Sequence, residues 1–229
     1  MSDFRLRINF QKLGKLRQLS HLELARALER CVRRSGLPYA ISQGFSAHMR
    51  HSFSAALPVG TASLDEYMDL ELTSFVPPKA AVSALQQVAV FGLPILGACY
   101  VSPNEPALQA TRCLANYEVE LCDPEHDLAD QLLAALRSTL EIIVRKKGRP
   151  RSYHLPDLLE VTQTRRLVAS APDLCRLFMP ITLTEGGSLR PELILEAVAP
   201  AGRSLEIVDI IRISLRAQPD LLEHKGEHR

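Results

Sequence analysis

Arg5-Leu6-Arg7-Ile8-Asn9-Phe10 alternates polar and apolar side chains, the period of a half-buried strand. A break at Lys12-Leu13-Gly14-Lys15 leads to Ser20-His21-Leu22-Glu23, where a serine followed three residues later by glutamate forms a capping box. The helix starting there is expected to reach Ser35, with Leu24, Leu28, Cys31 and Val32 inward and Gly36 ending it. Outward from this strand and helix, Pro38 opens an extended stretch, and Gly44 begins a loop carrying Phe45 to His51. Residues 52–57 and 66–72 read as strands, Pro77-Pro78 starts a helix ending near Val90, and residues 94–101 form another strand. Strand, helix, two or three strands, helix, strand is the order of a ferredoxin-like unit, with its helices on one face of an antiparallel sheet.

The turn-rich residues 102–106 mark a boundary, after which the order recurs. Strands are expected at 116–121, 140–144, 158–167, 176–184 and 207–216, with helices at 127–138 and 190–198. The expected fold is α+β: two tandem ferredoxin-like (βαββαβ) halves with antiparallel sheets. Residues 1–103 form the N-terminal domain, 104–218 the C-terminal domain, and 219–229 a flexible tail.

The 229 residues, 46% hydrophobic and 23% charged, have the composition of an ordinary globular chain. No apolar run is long enough to span a membrane, and the N-terminus lacks a basic-then-apolar leader, so the expected location is cytoplasmic, without membrane partners. Five cysteines without a Cys-x-x-Cys pair exclude a zinc ribbon and a redox dithiol, and read as small buried apolar residues. Phosphate-binding, dinucleotide-binding and Gly-x-Ser-x-Gly motifs are missing, and no cofactor is expected.

A net charge of +1 hides segregation: residues 1–50 carry +7, 51–136 carry −9 and 137–166 carry +5. Some of this is sheet-surface pairing, with Arg5 and Arg7 set against Asp69 and Glu71, and Glu118 and Glu120 against Arg212 and Arg216. Ions on the open sheet faces disfavour the aromatic base-stacking mode of many RNA-binding sheets. The remaining cations form two blocks suited to a phosphate backbone. Lys12, Lys15 and Arg17 approach the first helix; His21, Arg26, Arg30, Arg33 and Arg34 lie on it, with His48 and Arg50 in the following loop. Arg145, Lys146, Lys147, Arg149 and Arg151 surround Gly148 in a loop or hairpin tip. Solvated helix and turn faces are the alternative for both blocks. His21, His48 and His51 offer three nitrogens, but with weak spacing, and no metal is expected.

Residues 10–24 (Phe10-Gln11-Lys12-Leu13-Gly14-Lys15 through Leu24), 42–48 (Ser42-Gln43-Gly44-Phe45-Ser46-Ala47-His48) and 57–69 (Leu57-Pro58-Val59-Gly60 through Asp69) resemble the radical-SAM-linked (radical-SAM-associated) family of unknown function. The resemblance covers roughly residues 4–215. Family members stand alone or fused behind a radical-SAM enzyme of the cobalamin-binding type, with genes often near those for ribonuclease G and ribosomal proteins. It therefore implies an RNA-linked partner role and carries over His48 as a loop functional residue. Where the family has Gly-Phe-Asn-Pro-His-Pro, this chain has Gly44-Phe45-Ser46-Ala47-His48-Met49, losing two prolines. It also lacks the Cys-x-x-x-Cys-x-x-Cys run of radical-SAM enzymes.

Three functions follow as expectations. The first is a noncatalytic RNA-binding accessory that presents tRNA or rRNA to a separate radical-SAM RNA-modifying enzyme. The second is a metal-independent RNA-processing endonuclease, with His21 as acid or base and Lys12 or Arg17 steadying the phosphate. The third is a protein-interaction module whose acidic 51–136 segment docks a radical-SAM enzyme.

Overall fold

The computed structural model describes residues 4–102, 104–106, 108, 113–146, 148–183 and 189–217. The fold is α+β, with four α-helices among the described residues and antiparallel strand pairing within each of two compact units, Met1–Thr111 and Arg112–Arg229. No helix among the described residues is long and apolar enough to cross a membrane. Lys147 and the 219–229 tail lie outside the described residues.

In the first unit, β1 (Phe4–Lys12) leads through a 3-10 turn at Gly14–Gln18 to α1 (His21–Ser35). Then come β2 (His51–Phe53), β3 (Ala62–Leu72), α2 (Pro78–Val88) and β4 (Ile95–Val101). The sheet order is β4-β1-β3-β2, each pair antiparallel. The capping box forms as the spacing requires. Ser20 Oγ accepts the Glu23 N–H, the Glu23 carboxylate accepts the Ser20 N–H at 2.8 Å, and Gly36 ends the helix at φ +73°. Glu23 is held below its usual carboxylate range, first by the Ser20 hydroxyl and then by the Ser20 amide.

Period-two alternation puts Leu6, Ile8 and Phe10 on the inner face of β1, where Leu24, Leu28, Cys31 and Val32 of α1 meet them. Met68, Leu70 and Leu72 of β3 and Ala81 and Leu85 of α2 complete that core. The outer face carries the expected ion pairs. Arg7 sits opposite Asp69 and grips it at 2.8 and 3.0 Å, while Arg5 approaches the same carboxylate at 3.6 Å. The hydrogen bond to Asp69 raises the affinity of Arg7 for its proton despite partial burial.

The second unit runs β5 (Cys113–Cys122), α3 (Leu128–Ser138), the hairpin β6 (Glu141–Lys146) and β7 (Arg149–His154), β8 (Arg165–Leu167), β9 (Leu174–Leu183), α4 (Pro191–Val198) and β10 (Ile207–Ala217). The order β10-β5-β9-β8 is again antiparallel, with the β6–β7 hairpin apart from it. Without that hairpin, the second unit repeats the strand order of the first. The strand expected at 158–167 is mostly absent. Leu155–Asp157 and Val161–Gln163 are 3-10 turns; Arg165–Leu167 pairs with β9, and Leu159 adds an isolated bridge to Ile181 of the same strand.

A second correction concerns Glu118 and Glu120. Their partner is Arg176 of β9, at 3.6 and 3.0 Å, rather than Arg212 and Arg216. Bulges in β10 between Ile207 and Asp209 and between Arg212 and Ser214 put Arg212 opposite Tyr117, on the other face from the two glutamates. Burial raises the Glu120 proton affinity, but hydrogen bonds from Ser170 and Arg176 outweigh it and leave the carboxylate below its usual range.

Among the cysteines with described side chains, Cys31 and Cys175 are buried, as a small apolar residue would be. Burial, then the neighbouring Asp123, pushes the Cys175 thiol up to about 11. Cys99 departs from the expectation and is exposed, because β4 is the terminal strand of its sheet and covers little on its outer face.

Candidate nucleic-acid interface

Helix α1 divides cleanly. Leu24, Ala27, Leu28, Cys31 and Val32 are buried, while Arg26, Arg30, Arg33 and Arg34 are exposed on the remaining surface. Arg33 lies 3.6 Å from Glu29, whose other carboxylate oxygen accepts from His51 Nε2 at 2.9 Å. Glu29 thus ties the basic helix to the start of β2. Arg26, Arg30 and Arg34 form no ion pair among the described residues, and neither does the exposed Lys15. Arg33 and Arg34 also sit in the last helical turn, where cations complement the helix dipole.

Three of the expected cations are engaged by groups of the fold. Lys12 belongs to β1 rather than to a break after it, and it is fully buried, its Nζ donating to the Leu19 carbonyl at 2.9 Å. It is therefore not a surface phosphate ligand; a buried ammonium needs such fixed acceptors. Arg17 Nε donates to the Gly60 carbonyl at 2.7 Å, fastening the 3-10 turn to the segment before β3. Arg50 pairs with Glu71 at 3.0 Å. His21, at the first position of α1, packs edge-on against Phe53 with ring centroids 5.5 Å apart, and His51 meets the same ring at 5.1 Å. This packing gives His21 a structural partner that its position in the sequence does not disclose.

The loop between α1 and β2 closes on itself. Ser42 N–H donates to the His48 carbonyl at 2.8 Å, and the His48 N–H donates back to Ser42 Oγ at 3.1 Å. The His48 ring nitrogen Nδ1 lies 2.9 Å from Ser42 Oγ and 3.1 Å from the Ser46 carbonyl. The tautomer sets which contact forms: Nδ1 accepts from the Ser42 hydroxyl when unprotonated and donates to the Ser46 carbonyl when protonated, and His48 itself is exposed. Gly44, at φ +141°, supplies the turn just before Phe45, which is fully exposed. Beneath the loop, a cleft of about 330 Å³ is lined by Arg5, Ser42, His48, Arg50, His51 and Glu71, among others. Phe45 and Ser42 were not among the expected site residues. Both lie in the 42–48 stretch that carries the family resemblance, of which only His48 was expected at the site.

In the second unit, Ile142 and Val144 anchor the root of the β6–β7 hairpin, and α4 packs against β6. The turn passes through Gly148 at φ +76°. Arg145, Arg149 and Arg151 are exposed and make no ion pair among the described residues. Val144 lies opposite Arg151 and Arg145 opposite Pro150, so Arg151 and Arg145 project from opposite faces of the ribbon. The Lys146 side chain and Lys147 fall outside the description.

Among the described residues, no group of three His, Cys, Asp or Glu is arranged to hold a metal ion. His48 stands exposed on the loop while His51 is directed at Glu29.

No curated protein matches the chain. A chain of a solved structure, "Crystal Structure of a Cbf5-Nop10-Gar1 Complex", shares 11% identity with a TM-score of 0.51, over 92% of this chain and 48% of its own. The present chain thus spans about half the length of that one, and at this identity the likeness concerns the fold. The family described as "Uncharacterized protein conserved in bacteria (DUF2344)" matches residues 5–191, and the chain belongs to that family.

Proposed function

We propose that the chain is a noncatalytic RNA-binding protein built on two ferredoxin-like units. It takes up tRNA or rRNA through the exposed face of α1, the 42–50 loop and the β6–β7 hairpin, and serves a separate radical-SAM RNA-modifying enzyme in the cytoplasm. One observation carries the reading. On the sheet faces Arg7 grips Asp69 and Arg176 grips Glu120, whereas on α1 and the β6–β7 hairpin Arg26, Arg30, Arg34, Arg145, Arg149 and Arg151 are exposed and have no ion-pair partner among the described residues. Guanidinium groups left in this state on a helix face and a hairpin tip are suited to phosphate oxygens.

The strand order shared by the two units supports the ferredoxin-like assignment, and the likeness to a chain of the Cbf5-Nop10-Gar1 complex is compatible with it. The radical-SAM partner rests on the resemblance carried by residues 10–24, 42–48 and 57–69. Binding of purified tRNA and of rRNA fragments, titrated at rising salt, tests the RNA reading. The expected result is affinity that falls with a log–log slope of several units. Undetectable binding at low salt, or binding indifferent to salt, contradicts it.

A further inference from the structure

We infer that Phe45 is a stacking platform for one unpaired nucleobase, so that the RNA taken up at this face is single-stranded where it crosses the 42–48 loop. The inference rests on the RNA reading above and adds the class of substrate.

A phenylalanine held fully in water loses the burial that ordinarily justifies its ring. The exposed Phe75 is different, since it stacks on Tyr100 at 5.1 Å and 24°. Phe45 has no ring partner among the described residues and stands on a loop fastened at its base by the Ser42–His48 contacts. Such fastening lowers the entropy lost when a ligand settles on the ring.

The surroundings favour an anionic ligand with a flat apolar part. His48 follows three residues later as an exposed residue whose Nδ1 lies within hydrogen-bond distance of Ser42 and Ser46. The Glu29 link to His51 and Arg33 brings the basic helix face to the loop's exit. A cleft of about 330 Å³, the size of a small ligand site, adjoins the loop at Ser42 and His48, and its lining pairs Arg5 with Asp69 and Arg50 with Glu71. A base on the ring with its phosphate among these cations is the usual geometry of single-strand binding. In a duplex, the base faces are already stacked and the ring has nothing to cover.

The chain contains no tryptophan, so Phe45→Trp introduces a single fluorescent reporter at the site. The probes are a short oligouridine, the same backbone with abasic sites, and a blunt RNA duplex, with binding followed independently by anisotropy. Oligouridine is expected to quench the tryptophan, while the abasic strand and the duplex bind through the arginines and leave its emission unchanged. Phe45→Ala is expected to weaken oligouridine binding about tenfold with the salt slope intact, since stacking releases no counterions. Binding of oligouridine without quenching, or equal affinity for Phe45→Ala, overturns the stacking role and leaves the RNA reading standing. Failure of all three probes to bind at low salt overturns both.

Discussion

Replacing Arg26, Arg30 and Arg34 together by alanine removes three exposed cations that have no ion-pair partner among the described residues. Each phosphate contact to a single strand contributes about 0.7 to the log–log salt slope, so the triple variant should lose about 2 units. Between 50 and 200 mM salt, a slope difference of that size changes the relative affinity about fifteenfold. The variant should therefore bind markedly more weakly at low salt and converge on the parent as salt rises. Alanine is a better helix former than arginine, and none of the three side chains is buried, so the melting temperature should hold. Arg33→Ala is the internal comparison. Its guanidinium lies 3.6 Å from Glu29, so a phosphate must compete with that carboxylate and the slope change should be smaller. Filter binding or anisotropy at five or so salt concentrations reads all of this. A triple variant with an unchanged slope would refute the assignment of the α1 face.

Gly92→Ala should destabilise the first unit by at least about 2 kcal/mol in denaturant unfolding, because its φ is +88° and a Cβ would lie 2.6 Å from the Leu13 carbonyl oxygen. A stability equal to the parent's would contradict the backbone placement there. Ser20→Ala removes the N-cap of α1 and should cost about 1 kcal/mol, visible as earlier exchange of the first-turn amides. Glu120→Gln should cost about 1–3 kcal/mol at neutral pH. The folded-state proton affinity of Glu120 is depressed, so its contribution is present above the unfolded value and is lost as pH falls through the folded one. The gap between variant and parent should therefore close in acid, and a gap independent of pH counts against the Arg176 and Ser170 contacts.

Local signals carried the first unit far. The alternation of β1, the capping box at Ser20 and Glu23 and the stop at Gly36 each act within a few residues, and all are present in the structure. The ion pair between Arg7 and Asp69 was also legible, because regular alternation on two neighbouring strands determines which side chains share a face. The same argument failed in the second unit, where bulges in β10 moved Arg212 to the opposite face and left Glu120 to Arg176, a residue on another strand. Lys12 was misplaced because a lysine ordinarily signals the surface, and only the tertiary fold provides the carbonyl of Leu19 that makes its burial tolerable. The basic tip was visible as composition, but its setting on a separate hairpin anchored by Ile142 and Val144 is a property of packing. Phe45 lies in the 42–48 stretch that carries the family resemblance, but an exposed aromatic in a loop leaves no periodic trace that marks it as a site residue.

The central claim is that these arginines meet RNA. Ultraviolet crosslinking of the tagged chain in its own cells, with the bound RNA sequenced and the crosslinked peptides mapped, tests it most directly. The account predicts one enriched class of RNA, joined to peptides from α1, the 42–50 loop or residues 145–151. Recovery of protein partners alone, unaffected by nuclease and with no RNA above background, would contradict it.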